Sequence, residues 1–229
     1  MKVIAHIYND YTSKFGVPHQ SGRIKAVKSR IVFEPEFRNP DALRGLEEFD
    51  YIWLIWQFSR AVREEWSPMV RPPRLGGNIR KGVFATRSPF RPNSLGLSSV
   101  RLEEIIYGGA KGPVLLVSGA DMMNETPIYD IKPYLPYVDS HPGAAGGFTD
   151  NITDHRLQVV FPEKLLEKIP VEKQESLQEV LANDPRPGYQ KDPERIYKMP
   201  FGDQDIHFRV ENDILIVCAV ENYRGFFGK

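Results

Sequence analysis

Tyr51-Ile52-Trp53-Leu54-Ile55-Trp56-Gln57-Phe58 is the stretch on which the fold turns. It is β-branched and aromatic, too short for a comfortable helix, and reads as a central strand. Its alternation leaves both strand faces apolar. One face is expected in a barrel core; Trp53, Trp56 and Phe58 belong either to that core or to a contact with a partner subunit. Working outward, residues 3–8 and 23–33 read as strands before it, and residues 82–86, 97–106 and 113–118 as strands after it. The turn Gly108-Gly109 separates the last two. Asn39-Pro40 looks like an N-cap with proline at the first helical position, opening a short helix toward Glu48. Strands this close, with little helix between them, predict a mainly β fold built on a closed or nearly closed barrel. A doubly wound sheet would need long helices between its strands, and they are missing.

The character changes past Pro142. His141-Pro142-Gly143-Ala144-Ala145-Gly146-Gly147 reads as a flexible connection. Beyond it, residues 156–161 look like a strand. Leu165, Leu166 and Ile169, then Leu177, Val180 and Leu181, mark one or two amphipathic helices. Residues 205–210 and 214–220 flank Asn212-Asp213 as a hairpin. The division expected is a barrel domain over residues 1–140 and a smaller α+β domain over 150–229. With one cysteine in the chain, Cys218, no internal disulfide can form, and its apolar surroundings predict a buried core thiol. The N-terminus lacks the pattern of a secretory signal, and the longest apolar runs are too short to span a bilayer, so a soluble, cytoplasmic protein with no membrane partner is expected. His6, His19, His141, His155 and His207 show no metal-ligand spacing, and no metal is expected.

Formal net charge is zero, from 30 basic and 30 acidic residues, so the total gives no hint of a nucleic-acid partner. The distribution does. From Trp66 to Leu102 there is no Asp or Glu, yet the span holds Arg71, Arg74, Arg80, Lys81, Arg87, Arg91 and Arg101. Such segregation makes a local positive field that attracts phosphate. A solvated arginine-rich surface loop is the competing reading.

Three segments are too unusual to be simple folding elements. The first is Phe15-Gly16-Val17-Pro18-His19-Gln20-Ser21-Gly22, a polar loop between two strands. The second is Arg71-Pro72-Pro73-Arg74-Leu75-Gly76-Gly77-Asn78, continued by Gly82-Val83-Phe84-Ala85-Thr86-Arg87-Ser88-Pro89-Phe90-Arg91-Pro92-Asn93. Its prolines restrict φ and lower the entropy lost on ordering, and rigidity joined to guanidinium groups suits a site that holds a ligand in one pose. The third runs from Asp121 through Asn124-Glu125-Thr126-Pro127 and Asp130-Ile131-Lys132-Pro133 to Tyr134.

Together these segments resemble the TrmO (TsaA-like) family of tRNA methyltransferases. Asp184-Pro185-Arg186-Pro187-Gly188-Tyr189 in the second domain matches too, so the resemblance spans both domains. It implies an S-adenosylmethionine-binding β-barrel, a homodimer, and methylation of the N6 nitrogen of threonylcarbamoyladenosine beside the tRNA anticodon. The absence of a Gly-x-Gly-x-x-Gly fingerprint after a strand agrees with a class unrelated to the Rossmann methyltransferases.

Carried over by position, the family's cofactor contacts fall on Gln20, Ser21, Gly22, Arg87, Leu97, Asn124, Glu125, Thr126 and Pro127. A further cofactor contact in relatives comes just after the aromatic strand, where a His is common; by position it falls here on Ser59 and Arg60, through side chain or backbone. Arg71, Arg74, Arg80, Arg91 and Arg186 are candidates for RNA phosphate, and Tyr189 for base stacking or domain packing; the second domain is expected to aid tRNA binding. The attacking nitrogen is urea-like, so a group accepting its proton would help, with Asp121, Glu125 and Asp130 as candidates. Two other readings stay open: a non-catalytic RNA-binding barrel, and an S-adenosylmethionine-binding protein with a target other than tRNA.

Overall fold

A computed structural model describes residues 1–72, 79–150, 155–186 and 192–223. Six strands close into an antiparallel barrel in the order β1-β2-β7-β6-β3-β8. They are β1 (Ala5–Tyr8), β2 (Lys28–Phe33), β3 (Tyr51–Gln57), β6 (Leu95–Ile106), β7 (Val114–Ser118) and β8 (Thr126–Pro133). Between β3 and β6 lies a small hairpin-like pair, β4 (Met69–Val70) with β5 (Lys81–Gly82). The period-2 pattern explains the closure: Ile52, Leu54 and Trp56 of β3 turn inward to meet Ile7, Ile31, Val100, Leu115, Val117 and Ile128. Tyr51, Trp53 and Ile55 alternate to the outer face.

The expected helix over 40–48 is instead two 3₁₀ turns, Pro40–Leu43 and Leu46–Glu48. Asn39 does cap the first, accepting from Asp41 N at 3.0 Å, but Gly45 enters the left-handed region (φ 84°) and breaks the run. The strand expected over 82–86 is a 3₁₀ turn, Val83–Ala85, after a two-residue strand.

The second unit is a sheet in the order β10-β11-β12-β9, with β9 (Gln158–Val160), β10 (Tyr197–Phe201), β11 (Gln204–Glu211) and β12 (Ile214–Asn222). Short helices α1 (Pro136–Asp139) and α2 (Glu163–Leu166) precede α3 (Val171–Ala182), whose Leu177, Val180 and Leu181 are buried against that sheet. Asn212 and Asp213 take φ of 47° and 64°, the geometry of a two-residue hairpin turn that matches strand twist. Cys218 is exposed, not a core thiol. Leu215 and Val217 take the inward positions of β12, so Ile216 and Cys218 face away from the core.

The two cores are separate, but the β1–β2 loop belongs to the second. Tyr11, Ile24 and Val27 are buried with Leu177, Phe208 and Val217, and Phe15 stacks at 6.4 Å on Tyr197 and 6.3 Å on Phe208. Gly16 sits so close to Met199 that a Cβ there would meet its sulfur at 2.6 Å.

Candidate functional site

The strand order decides where the three unusual segments go. In an antiparallel barrel, alternate connections emerge at the same end. The β1–β2 loop carries the first segment, the β3–β6 connection the second, and the β7–β8 loop the start of the third; all three leave at one rim. Residues far apart in sequence therefore meet.

At that rim the barrel is open on one side. Strand β6 pairs with β3 through Leu95–Arg101 but with β7 only from Arg101 onward. Among the described residues, no strand covers the other edge of residues 95–100. The backbone groups that point to that edge pair with no strand and are placed to meet a planar ligand edge. Leu97 lies in this stretch with its side chain exposed on the outer face.

Beside the open edge sits Asp121. Its carboxylate accepts from Ser98 Oγ at 2.5 Å and from the backbone N–H of Ser21, while Ser98 Oγ accepts from Trp56 Nε1 at 2.9 Å. Burial pushes the Asp121 pKa up, with these hydrogen bonds and the Arg87 charge opposing the shift. The indole of Trp56 lies over Gly96 on the neighbouring strand, where a Cβ would come within 2.7 Å of Trp56 Cδ2. Packing on the barrel axis thus fixes Ser98, Ser98 fixes Asp121, and Asp121 fixes the loop at Ser21.

That loop is held at further points. Gly22 N donates to Gly119 O at 2.8 Å, and Gly22 and Gly119 approach so closely that a Cβ on Gly119 would stand 3.2 Å from Gly22 Cα. Arg87 Nη1 donates to Gln20 Oε1, joining the second segment to the first. From the other side, Glu179 Oε2 on α3 accepts from Lys25 N (2.9 Å) and Ala26 N (2.7 Å), and Arg23 Nε donates to Asn183 Oδ1 at 3.2 Å. Gln20 and Ser21 are half-buried and Gly22 exposed, so the loop presents its tip at the rim.

The third segment turns at Asn124-Glu125. Glu125 takes a left-handed φ of 65° and donates its N–H to Ile7 O; Asn124 N donates to Tyr11 O, and Asn124 Oδ1 accepts from Asn9 N. Thr126 and Pro127 follow, buried, as the first residues of β8. The Glu125 carboxylate faces solvent at the rim with Arg60 Nη2 at 3.9 Å. Arg60 therefore lies beside the 124–127 turn; Ser59 is exposed, its N–H bonded to Gln57 O.

Not all candidates converge. Asp130 lies four residues into β8, roughly 13 Å along the strand from the rim. It shares the outer face with its partner Ile55 and pairs with Lys132 at 2.8 Å. Arg186 is clamped by Asp184 (Nε to Oδ1 2.8 Å, Nη2 to Oδ2 2.9 Å) and its side chain is only 13% exposed, so its fork is already engaged. Arg91 donates to Thr86 O at 3.0 Å and stiffens its own loop. Arg71 and Arg80 are exposed. Arg74 and Tyr189 lie outside the described residues. Sequence reading missed Ser98, Glu179 and Asn183; a Ser alternating inward on an otherwise apolar strand face was the one available signal, and nothing marked Glu179 on α3 or Asn183 at its C-cap.

The family model for the tRNA-methyltransferase O N-terminal domain matches residues 6–140, and that for the TrmO C-terminal domain matches residues 154–223. The Escherichia coli K12 protein named tRNA (adenine(37)-N6)-methyltransferase is 38% identical over 227 residues, 95% of this chain and 96% of that one. A Pseudomonas aeruginosa protein with the provisional name S-adenosylmethionine-dependent methyltransferase RcsF is 37% identical over 93% of both chains. A crystal structure of TrmO from Pseudomonas aeruginosa superposes with a TM-score of 0.75 at 31% identity, covering 97% of this chain and 99% of that one.

Proposed function

Because the chain belongs to the tRNA-methyltransferase O family, we infer that it is an enzyme that methylates the N6 nitrogen of an adenine in tRNA, with S-adenosylmethionine as donor. The finer reading is that the adenine is the threonylcarbamoylated one beside the anticodon. The observation that carries the proposal is the meeting of Gln20, Ser21, Gly22, Arg87, Asp121 and the 124–127 turn at the one rim where β6 leaves an unpaired edge.

The residues fit the donor's chemistry. S-adenosylmethionine has a carboxylate, an amino group, ribose hydroxyls and an adenine edge, and when bound it supplies an electrophilic methyl group on a sulfonium. Arg87 is exposed and cationic, suited to the carboxylate or to a substrate phosphate. The open edge at Leu97 and the backbone at Gly22 offer donors and acceptors to the adenine. Asn124, Thr126 and Pro127 set the shape of the turn. Much of the rate enhancement in such a transfer comes from orientation, worth up to about 7–11 kcal/mol, which is what the clamped loops provide.

Of the three carboxylates considered as proton acceptors, Glu125 is the best placed. Asp121 already accepts from Ser98 and Ser21, and Asp130 faces the outside of the barrel. Glu125 is open at the rim, so it can approach a substrate nitrogen. Glu125→Gln is expected to lower turnover at least about 100-fold, the low end of general-base contributions, with cofactor affinity changed less. Equal losses in both would make Glu125 a binding group only.

A second copy of the chain is the partner proposed for the outer face of β3, where Tyr51 is exposed and Ile55 pairs with exposed Leu97, while Trp53 is covered by Tyr134 and bonded to Asp139. That face supports a homodimer, testable by light scattering. The function is tested by methyl transfer from labelled S-adenosylmethionine to threonylcarbamoylated tRNA, unmodified tRNA and total protein. Incorporation into the first alone supports the finer substrate; incorporation into protein and not tRNA sinks the reading.

A further inference from the structure

The β3–β6 connection carries a feature that the rim cluster does not use. Trp66 and Phe84 are 48% and 71% exposed, and their rings stack at 6.0 Å between centroids with 27° between planes. Two large rings held together in solvent are costly unless something covers them. They are held by design of the backbone. Trp66 precedes β4 and Phe84 follows β5, and pairing of Met69 with Gly82 and Val70 with Lys81 brings them side by side. Val83 N donates to Pro68 O at 2.9 Å, and Thr86 Oγ1 to Val83 O at 2.8 Å, so the turn under Phe84 is fixed.

A cation stands beside the Phe84 ring. The Arg91 guanidinium stands 5.9 Å from the Phe84 centroid, oriented by its bond to Thr86 O. Arg63 covers the nearby Phe90 ring at 3.7 Å. No acidic residue occurs from Trp66 to Leu102, and the exposed Glu64 and Glu65 that precede Trp66 lie on the side of the pair away in sequence from Arg87 and Arg91. An apolar protein partner would have to strip water from these guanidinium groups without repaying them. A single strand of RNA meets both demands at once, with base faces for the rings and phosphates for the cations.

We propose that Trp66 and Phe84 form a stacking platform for unpaired bases of the RNA substrate next to the adenine being methylated. The inference rests on the tRNA reading given above and adds where the neighbouring nucleotides go. An adenine must leave the stack of its loop to enter the rim, and the bases it leaves need a new surface. Arg87, at the rim, lies on the same connection three residues past Phe84. The platform holds the loop open while the target base is inserted.

The test uses the full chain with both rings removed, Trp66→Ala/Phe84→Ala, and the ring-retaining control Trp66→Phe/Phe84→Tyr. Affinity for threonylcarbamoylated tRNA is measured by anisotropy across a salt series, alongside S-adenosylmethionine affinity and mass in solution. The double alanine variant is expected to bind tRNA about 10- to 100-fold more weakly, with an unchanged salt slope, because stacking releases no counterions. Cofactor affinity and mass stay as in the wild type, and the control restores tRNA binding. Wild-type tRNA affinity in the alanine variant overturns the platform while leaving the methyltransferase reading intact. A fall in mass overturns it in favour of a contact between copies. A wild-type protein that binds no tRNA overturns the functional reading first, and the platform with it.

Discussion

Replacing Glu179 by Gln removes a charge from the second domain, yet its effect is expected in the proposed cofactor site of the first. One oxygen of this carboxylate accepts from both Lys25 N and Ala26 N, three and four residues past Gly22. Hydrogen bonds to a charged acceptor contribute about 1.5–3 kcal/mol each and neutral ones about 0.5–1.5, so the change loosens the loop by roughly 2 kcal/mol in total. If all of that appeared as ordering cost on binding, affinity for S-adenosylmethionine would fall by about 30-fold. The bond from Gly22 to Gly119, the Arg23–Asn183 contact and the buried Ile24 and Val27 retain part of the order, so about tenfold is expected. The assay is calorimetric titration of cofactor into the variant, with a thermal melt beside it. At about 2–4 °C per kcal/mol for a chain of this size, a purely structural role would lower Tm by several degrees and leave affinity alone. That pattern, a lower Tm with unchanged binding, would refute the reasoning.

Two other outcomes follow from the rim. Asp121 has its pKa raised by burial, so its contribution to stability is present below the ordinary aspartate pKa and lost as pH rises through the folded-state value. Asp121→Asn should therefore raise the urea midpoint at pH 7, give no gain at pH 3, and weaken cofactor binding because a neutral amide oxygen holds Ser21 less firmly than the carboxylate; a less stable variant at pH 7 would contradict this. Gly96→Ala drives a methyl group into the Trp56 indole, an overpacking expected to cost about 1–3 kcal/mol by denaturant titration; wild-type stability would mean that the indole can move aside and does not hold Ser98 rigidly.

The barrel was legible because its strands obey one rule, the alternation of inward apolar residues seen in β3 and in β2. The site was legible in part for a different reason: prolines, glycines and arginines collected in three segments that no core needs. What escaped had physical causes. Strand β8 contains Pro127 and Pro133, and β10 contains Pro200, residues that argue against a strand because they cannot donate to a ladder. Asp121 looked like one acidic residue among several, since its partners Ser98 and Ser21 are 23 and 100 positions away. Cys218 misled because an unbroken apolar run hides which residues face the core. Phe15 and Val17 stood as apolar residues in a polar loop, and Ile24 and Val27 read as part of the strand expected over 23–33, which begins only at Lys28; nothing in the chain said that their partner was a sheet nearly 200 residues on.

That last pairing explains how a second domain can serve a site to which it adds few side chains. A six-stranded antiparallel barrel leaves its functional loops on one rim, and a loop of Gly, Ser and His residues has little apolar surface with which to order itself. Here the β1–β2 loop is apolar on its flanks and polar at its tip, and the flanks are buried in a core that only the second sheet supplies. Lys173 pairs with Asp10 at 2.8 Å at one end of the loop, and Glu179 holds the other; the two sit on α3 six residues apart, under two turns of one helix. One rigid element thus spans the loop like a brace, and the entropy of ordering Gln20, Ser21 and Gly22 is met during folding instead of at each binding event. The consequence is directional: substitutions at Lys173 and Glu179 should act on cofactor affinity and leave the rate of the bound complex alone, whereas substitutions at Glu125 should do the reverse.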